Sequence, residues 1–226
     1  MDWHPPTRSP LALQGPWPAC ARPLLAEGAS WLHTGLRHPG EEGGDLLILP
    51  GGPVLETRWT GAEWRTTLDG SPCPGSPWEA LDRARTGGLP WVGAATYELA
   101  CHEAGHAHHP PAPGSLGQRW QGVNQALHIL DGRAEGWSWN GSPPEAPQAR
   151  ACGFGQVQFD LHPSWDRPRH AEAVREAQSR IRAGDFYVAN LCIPFTGPCT
   201  GDILTLALAA FRQARPPFGA LLPGPE

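Results

Sequence analysis

The sequence predicts an α+β protein, and three observations support this fold class. Short apolar runs separated by Gly- and Pro-rich turns fill residues 1–160, which indicates antiparallel strands. Residues 161–226 change character and predict a helix, a strand and a second helix. Eleven Trp residues occur in the 226-residue chain, and Trp is costly to leave exposed. We therefore expect a folded core in spite of the 28 Gly and 27 Pro.

The first third of the chain predicts a meander of hairpins after an irregular start. Residues 1–23 are rich in Pro, and we expect no regular structure there. Asp45–Pro50 predicts a strand, a Gly-rich turn follows it, and Val54–Trp59 returns as a second strand. A turn at Thr60–Ala62 leads into a third strand at Glu63–Leu68.

The middle of the chain carries the two strongest local signals. Ser76-Pro77-Trp78-Glu79 is a capping box with Pro at the first helical position, so a helix is predicted to about Arg85. Asp131-Gly132 is a strong signal for a two-residue hairpin turn. The remaining predicted strands of this region are Trp91–Tyr97, Val123–Leu130 and Ala134–Trp139.

The last part of the chain predicts mostly helix. Its predicted elements are a linker at Ser142–Gln148, a strand at Cys152–Leu161, a helix from Pro168 to Gly184, a strand at Phe186–Phe195 and a helix from Asp202 to Pro216. Val174, Ala177 and Ile181 share one face of the first of these helices. Gly184 is suited to end that helix because Gly adopts the left-handed conformation freely.

Composition excludes several classes of function. The net charge of −5 and the pI near 6.0 argue against a nucleic-acid partner. All 17 basic residues are Arg, so the chain has no lysine for a Schiff base or a P-loop. No apolar run approaches the length of a membrane span, and Met1–Pro10 lacks the apolar stretch of a signal peptide. The six Cys show no C-x-x-C spacing, and we expect free thiols in a cytoplasmic protein without membrane contact.

One segment matches the H-E-x-x-H motif of zinc hydrolases. On a helix, His102 and His106 share a face and can bind Zn²⁺ while Glu103 acts as the base. Pro110-Pro111 breaks a helix soon after the motif, and no spacing selects a third ligand. Two interpretations stay open at this point: a zinc site with His102, Glu103 and His106, or an exposed His-rich helix end without metal.

A family resemblance is carried by the segment Ala183–Leu191, which reads AGDFYVANL and follows a predicted helix. This segment resembles the A-G-D-[IF]-Y-Q-[VA]-N-L signature of chorismate-utilising enzymes, namely component I of aminodeoxychorismate synthase and of anthranilate synthase. Gly197–Arg212 and Ala214–Leu222 resemble the two motifs that follow the signature in that family. Trp91–Leu99 resembles an upstream G-W-[VIF]-G-Y-x-x-Y-[ED]-L motif, and Arg22–Gly28 is similar to the N-terminal L-L-E-S segment.

The resemblance implies an anthranilate synthase component I-like fold, an antiparallel β-sheet sandwich with helices outside. It implies an N-terminal domain at residues 1–155 and an incomplete chorismate-binding domain at residues 156–226. The chain shows no counterpart of the family's later motifs, which carry the Mg²⁺ ligands and the acid and base residues. We therefore expect a truncated N-terminal half that has no catalytic residue of its own and is inactive by itself.

The resemblance also implies the chemistry. In this family chorismate binds beside Mg²⁺ and reacts with ammonia that a separate glutamine amidotransferase subunit supplies. Amination at C4 gives aminodeoxychorismate, on the route to p-aminobenzoate and folate, whereas addition at C2 with loss of pyruvate gives anthranilate. Tyr97-Glu98-Leu99 resembles the aminodeoxychorismate branch more closely. Anthranilate synthase component I is the alternative, and a non-catalytic domain that binds a ligand or a partner is another.

Six residues of this chain match binding motifs of the family: Leu25, Glu27, Tyr187, Asn190, Pro217 and Phe218. Three positions depart from the family pattern: Val188 stands where the signature has Gln, and Ala214 and Arg215 stand where a later motif has Asn and Pro. These departures fall near the tryptophan pocket of related enzymes and leave tryptophan binding open.

Overall fold

The structure is a computed structural model that describes residues 5–14, 16–34, 44–106, 110–148, 155–214 and 216–223. The chain divides into two compact units. The first unit combines Met1–Cys152 with Ala210–Glu226, and the second unit is Gly153–Ala209. The assignment of one domain to residues 1–155 and another to 156–226 stays a prediction.

Fifteen strands are formed by the described residues: β1 (Thr7–Leu11), β2 (Ser30–Thr34), β3 (Gly44–Ile48), β4 (Val54–Trp59), β5 (Trp64–Leu68), β6 (Ser71–Cys73), β7 (Trp91–Ala95), β8 (Leu116–Gly122), β9 (Gln125–Leu130), β10 (Arg133–Ser138), β11 (Gln158–Phe159), β12 (His162–Pro163), β13 (Phe195–Thr196), β14 (Cys199–Thr200) and β15 (Phe218–Leu221). The helices of the same residues are α1 (Trp17–Ala26), α2 (Pro77–Arg85), α3 (Tyr97–Glu103), α4 (Arg167–Ala183) and α5 (Ile203–Ala214). None of these helices is both long and apolar enough to cross a lipid bilayer.

The first unit contains two antiparallel sheets, which confirms the predicted α+β class. One sheet has six strands in the order β1-β10-β9-β3-β2-β15, and the other has five in the order β6-β5-β4-β8-β7. The buried Gln121 side chain of β8 donates a 2.8 Å hydrogen bond to the carbonyl of Leu49, just after β3, and so ties the two sheets together. Ile48, Val123 and Ala126 form a buried apolar cluster where the chain passes from one sheet to the other.

The structure confirms several elements that short stretches of the sequence predict. Asp131 and Gly132 both have positive φ, 50° and 76°, and connect β9 to β10 with Leu130 opposite Arg133. Ser76 begins α2 with both hydrogen bonds of the capping box, to and from Glu79. The predicted strands at 45–50, 54–59 and 63–68 correspond to β3, β4 and β5.

The predicted irregular start is wrong, because residues 7–11 form β1 and residues 17–26 form α1. Pro10 is tolerated in β1 because this strand lies at the edge of the six-stranded sheet and pairs on one side only, with β10. In α1, Cys20 and Ala21 are almost fully buried. Burial of this helix face offsets the cost of Pro23 in its interior.

The second unit departs further from the predicted strands. The predicted strand at Phe186–Phe195 is wrong over residues 186–194, since only Phe195 enters a strand. A strand needs a ladder of hydrogen bonds to a neighbouring strand, and no described strand forms one with 186–194, although the carbonyl of Pro194 accepts from the N–H of Ser164. The predicted strand at Cys152–Leu161 begins outside the described residues and is reduced to the two residues of β11.

The helix α4 is confirmed at both ends. Asp166 caps its first turn by accepting a 2.8 Å hydrogen bond from the backbone N–H of Arg169. Gly184 ends it with φ 85°, and the N–H of Asp185 donates to the carbonyl of Arg180. The predicted strand at Trp91–Tyr97 stops earlier, at Ala95, because the hydroxyl of Thr96 caps α3.

Candidate functional site

The two signature residues of the second unit lie on its surface. The structure places Tyr187 and Asn190 after α4, in the irregular segment 186–194, and the side chain of Tyr187 is 92% exposed. On α4 itself, Ile181 is 38% exposed, and no residue of the helix is buried. The apolar side chains that precede and follow Gly184 are therefore exposed within this unit.

The other four predicted binding residues belong to the first unit. Leu25 is half-buried in α1, and Glu27 is exposed at the C-terminal cap of that helix. Pro217 is exposed immediately before β15. Phe218 opens β15 opposite Thr34 of β2 and is 77% exposed. None of the four lines the cavity that the first unit forms between its two sheets.

This cavity has a volume of about 230 Å³ and is bounded by residues of both sheets. Its lining residues are Ser30, Val92, Gly93, Ala94, Leu116, Arg119, Gln121, Leu222 and Pro223. Arg119 and Gln121 are two residues apart on β8, so their side chains leave the same face of the strand. Ser30, at the start of β2, is almost fully buried. The cavity thus combines apolar walls with a few polar groups, as small-molecule sites do.

Charge at the cavity wall is set by one carboxylate and two guanidinium groups. Glu56 accepts hydrogen bonds from Arg58 Nε at 2.6 Å and from Arg119 Nη1 at 2.7 Å. Burial alone raises the pKa of Glu56, but the hydrogen bonds and positive charges of Arg58 and Arg119 outweigh it, so its pKa is lower than usual. One negative and two positive charges leave a net positive group, which suits an anionic ligand.

Ser30, Arg119 and Gln121 are not predicted as site residues from the sequence. A signal was present in β8, whose sequence LGQRWQG places polar side chains on both faces of a strand. β8 lies between β4 and β7, so it is not an edge strand. Polar residues on both faces of an inner strand indicate buried hydrogen bonds, because buried polar groups are almost always paired.

The H-E-x-x-H segment does not form the continuous helix that the zinc interpretation requires. The helix α3 ends at Glu103, Gly105 has φ 72°, and the N–H of His106 donates to the carbonyl of Cys101. This is a Schellman C-cap, so His106 lies beyond the last helical turn and not one turn after His102 on a helix face. His108 and His109 lie outside the described residues.

Metal-binding groups are also absent elsewhere in the part of the chain that the structure describes. No three His, Cys, Asp or Glu residues of that part lie close enough together to hold a metal ion. Mg²⁺ needs carboxylate oxygens at short, nearly octahedral distances. A cluster of three such ligands that could hold the Mg²⁺ ion implied by the family resemblance is therefore not found among the described residues.

A sequence model of the family described as chorismate binding enzyme matches residues 56–226. The chain belongs to this family. The match includes the signature segment 183–191, the motifs that follow it and the upstream segment 91–99. A search of individual curated proteins finds no significant match to the chain. Membership makes this a chorismate-utilising enzyme, with chorismate as its substrate.

Proposed function

We propose that this chorismate binding enzyme is component I of aminodeoxychorismate synthase. The whole component I converts chorismate and ammonia to 4-amino-4-deoxychorismate, the precursor of p-aminobenzoate in folate biosynthesis, and residues 1–226 are expected to be inactive by themselves. The family match over residues 56–226 carries the proposal. The sequence Tyr97-Glu98-Leu99 in the upstream motif favours this branch over anthranilate synthesis.

The proposal includes the partners of the reaction. A separate glutamine amidotransferase subunit supplies ammonia, and the enzyme acts in the cytoplasm with Mg²⁺ as its cofactor. The described residues include no cluster of three candidate metal ligands, and the chain has no lysine. We therefore assign no residue of this chain to Mg²⁺ binding, and we assign no step that requires a lysine.

A growth experiment separates the two branches. Deleting the gene in its source cells should create a requirement that p-aminobenzoate satisfies and tryptophan does not. Reintroducing the gene should remove the requirement. Rescue by tryptophan or anthranilate would show that the protein belongs to the anthranilate branch, and growth without either supplement would contradict an essential role in both.

A non-catalytic ligand-binding role is the second candidate, and the cavity between the two sheets favours it. The net positive group of Glu56, Arg58 and Arg119 and the buried Ser30 suit the carboxylate and ammonium groups of an amino acid. Titration calorimetry with single amino acids, on the wild type and Arg119→Gln, tests this role. Binding that Arg119→Gln abolishes, together with no consumption of chorismate by the protein isolated from its source cells with its native partner, would favour it over the enzymatic proposal.

A further inference from the structure

A second cavity, of about 290 Å³, lies on the face of the five-stranded sheet opposite to Arg119 and Gln121. Trp120 lies between these two residues on β8, so its side chain leaves the other face of the strand. Trp91 of β7 is paired with Gly122, two residues after Trp120, and lies on that same face. The lining residues of the cavity are Leu81, Arg85, Gly88, Leu89, Pro90, Trp91 and Trp120.

The two indole rings are held in place by their surroundings. Nε1 of Trp120 donates a 3.0 Å hydrogen bond to Oε1 of Gln118. The fully buried Gln118 amide in turn donates to Thr57 Oγ1 and to the carbonyl of Pro77, both at 3.0 Å. Gly122 lies between Pro53 and the other ring: a Cβ there would be 2.8 Å from Cγ of Pro53 and in van der Waals contact with Cζ2 of Trp91 at 3.4 Å. The cavity therefore has preformed aromatic walls.

The polar groups of the cavity have few partners. Leu81 and Arg85 are one turn apart on α2, so both can border the cavity from that helix. Arg85 is exposed, and its guanidinium makes no hydrogen bond or ion pair with any described residue. Nε1 of Trp91 is buried and is likewise without a hydrogen-bond partner in the described chain. An unpaired guanidinium beside aromatic rings is a typical recognition element for a carboxylate.

We propose that this cavity binds a single-ring aromatic carboxylate. The ring packs against Trp91 and Trp120, and the carboxylate accepts hydrogen bonds from the guanidinium of Arg85. The cavity volume of about 290 Å³ lies just below the usual range for small-molecule sites, about 300–1,000 Å³, which selects one ring over two. The site is on the opposite sheet face from the Arg119 cavity, and the inference does not depend on the proposed amination reaction.

Benzoate, with benzamide as its uncharged counterpart of equal shape, is the probe that tests this site. Both are titrated into the full chain labelled with ¹⁵N at its Trp indoles, and assigned indole resonances are followed by NMR. We expect saturable shifts of the Trp91 and Trp120 resonances with benzoate, and binding of benzamide weaker by about tenfold or more. Shifts that do not saturate, or shifts confined to other indoles, would overturn the proposal.

Two Arg variants complete the test. Arg85→Gln should weaken benzoate binding by about tenfold or more, because it removes the charge-assisted contact. Arg133→Gln, an equally exposed arginine at the start of β10 in the other sheet, should leave it unchanged. Both positions are on the surface, and the indole spectrum itself reports whether each variant is folded. Equal benzoate affinity of Arg85→Gln and the wild type would contradict the role of Arg85 and the proposed ligand class.

Discussion

Glu56 and Arg119 are paired directly across β4 and β8, and Oε2 of Glu56 lies 2.7 Å from Nη1 of Arg119. The second carboxylate oxygen of Glu56 is bound by Arg58, whose Nη1 also donates to the carbonyl of Gly114. This arrangement fixes the guanidinium of Arg119 at the wall of the cavity between the sheets. The same contacts that position a polar group for a ligand also stabilise the five-stranded sheet.

Replacement of Glu56 by Gln should lower the free energy of unfolding by about 1–2 kcal/mol at pH 7, because two guanidinium groups lose a half-buried charged partner. The pKa of Glu56 is lower in the folded protein than its unfolded value of about 4.3. Its stabilising contribution is therefore complete above that value and is lost as the pH falls through the folded pKa. Urea unfolding of both proteins between pH 7 and pH 3 should show the difference shrinking with acid.

The exposed pair of Glu63 and Arg65, 3.2 Å apart, provides the matched control. Glu63→Gln should change stability by less than about 0.5 kcal/mol at any pH in that range, because exposed ion pairs contribute little. A difference between Glu56→Gln and the wild type that grows with acid would contradict the assigned direction of the Glu56 pKa.

Gly93 is a position where β7 and β8 approach too closely for a side chain. A Cβ there would clash with the carbonyl oxygen of Arg119 and come within 2.7 Å of Cα of Trp120. Gly93→Ala should therefore destabilise the protein by about 1–3 kcal/mol, as overpacking does. Gly87→Ala is the control, since the nearest atom to its Cβ is 4.0 Å away. Thermal unfolding of both variants tests this, and equal losses would show that the strand approach is not the cause.

Ser76 stabilises the start of α2 through its capping box with Glu79. Ser76→Ala should cost about 1 kcal/mol in the free energy of unfolding, because one N-terminal N–H loses its acceptor. Ser71→Ala, in the exposed edge strand β6, removes a hydroxyl without a capping role and should be nearly neutral. Denaturant unfolding of the two variants side by side measures the contribution of the cap.

The geometry of α3 predicts that the H-E-x-x-H segment is not a zinc site. The Schellman cap at Gly105 takes His106 off the helix that carries His102 and Glu103. We expect less than one zinc per chain after dialysis against a weak chelator, and no change in zinc content on His102→Ala. One retained zinc per chain that His102→Ala removes would contradict this expectation.

The sequence correctly predicts those elements that depend only on a few neighbouring residues. The turn at Asp131-Gly132 and the cap at Ser76 depend on a few neighbouring residues, and both are found where they were predicted. The strand β1 and the irregular segment 186–194 depend on which other strands lie beside them. That information is spread over residues far apart in the chain, which is why the predictions of an irregular start and of a strand at 186–194 are wrong.

The candidate site likewise combines features that adjacent residues determine with features that depend on residues far apart in the sequence. The signature segment 183–191 identified the family because motif residues are adjacent in the sequence. The cavity between the sheets joins Ser30, Arg119 and Leu222 from three distant parts of the chain. Only the strand pairing brings them together, so no window of sequence could have shown that they line one cavity.

Product analysis of the purified reaction tests the central proposal most directly. The protein is isolated from its source cells with its native partner, and chorismate, Mg²⁺ and glutamine labelled with ¹⁵N in its amide are added. The account predicts ¹⁵N-labelled 4-amino-4-deoxychorismate without release of pyruvate, both measured by mass spectrometry. Labelled anthranilate together with an equal amount of pyruvate would contradict the proposed branch, and chorismate left unconsumed would contradict the proposed activity itself.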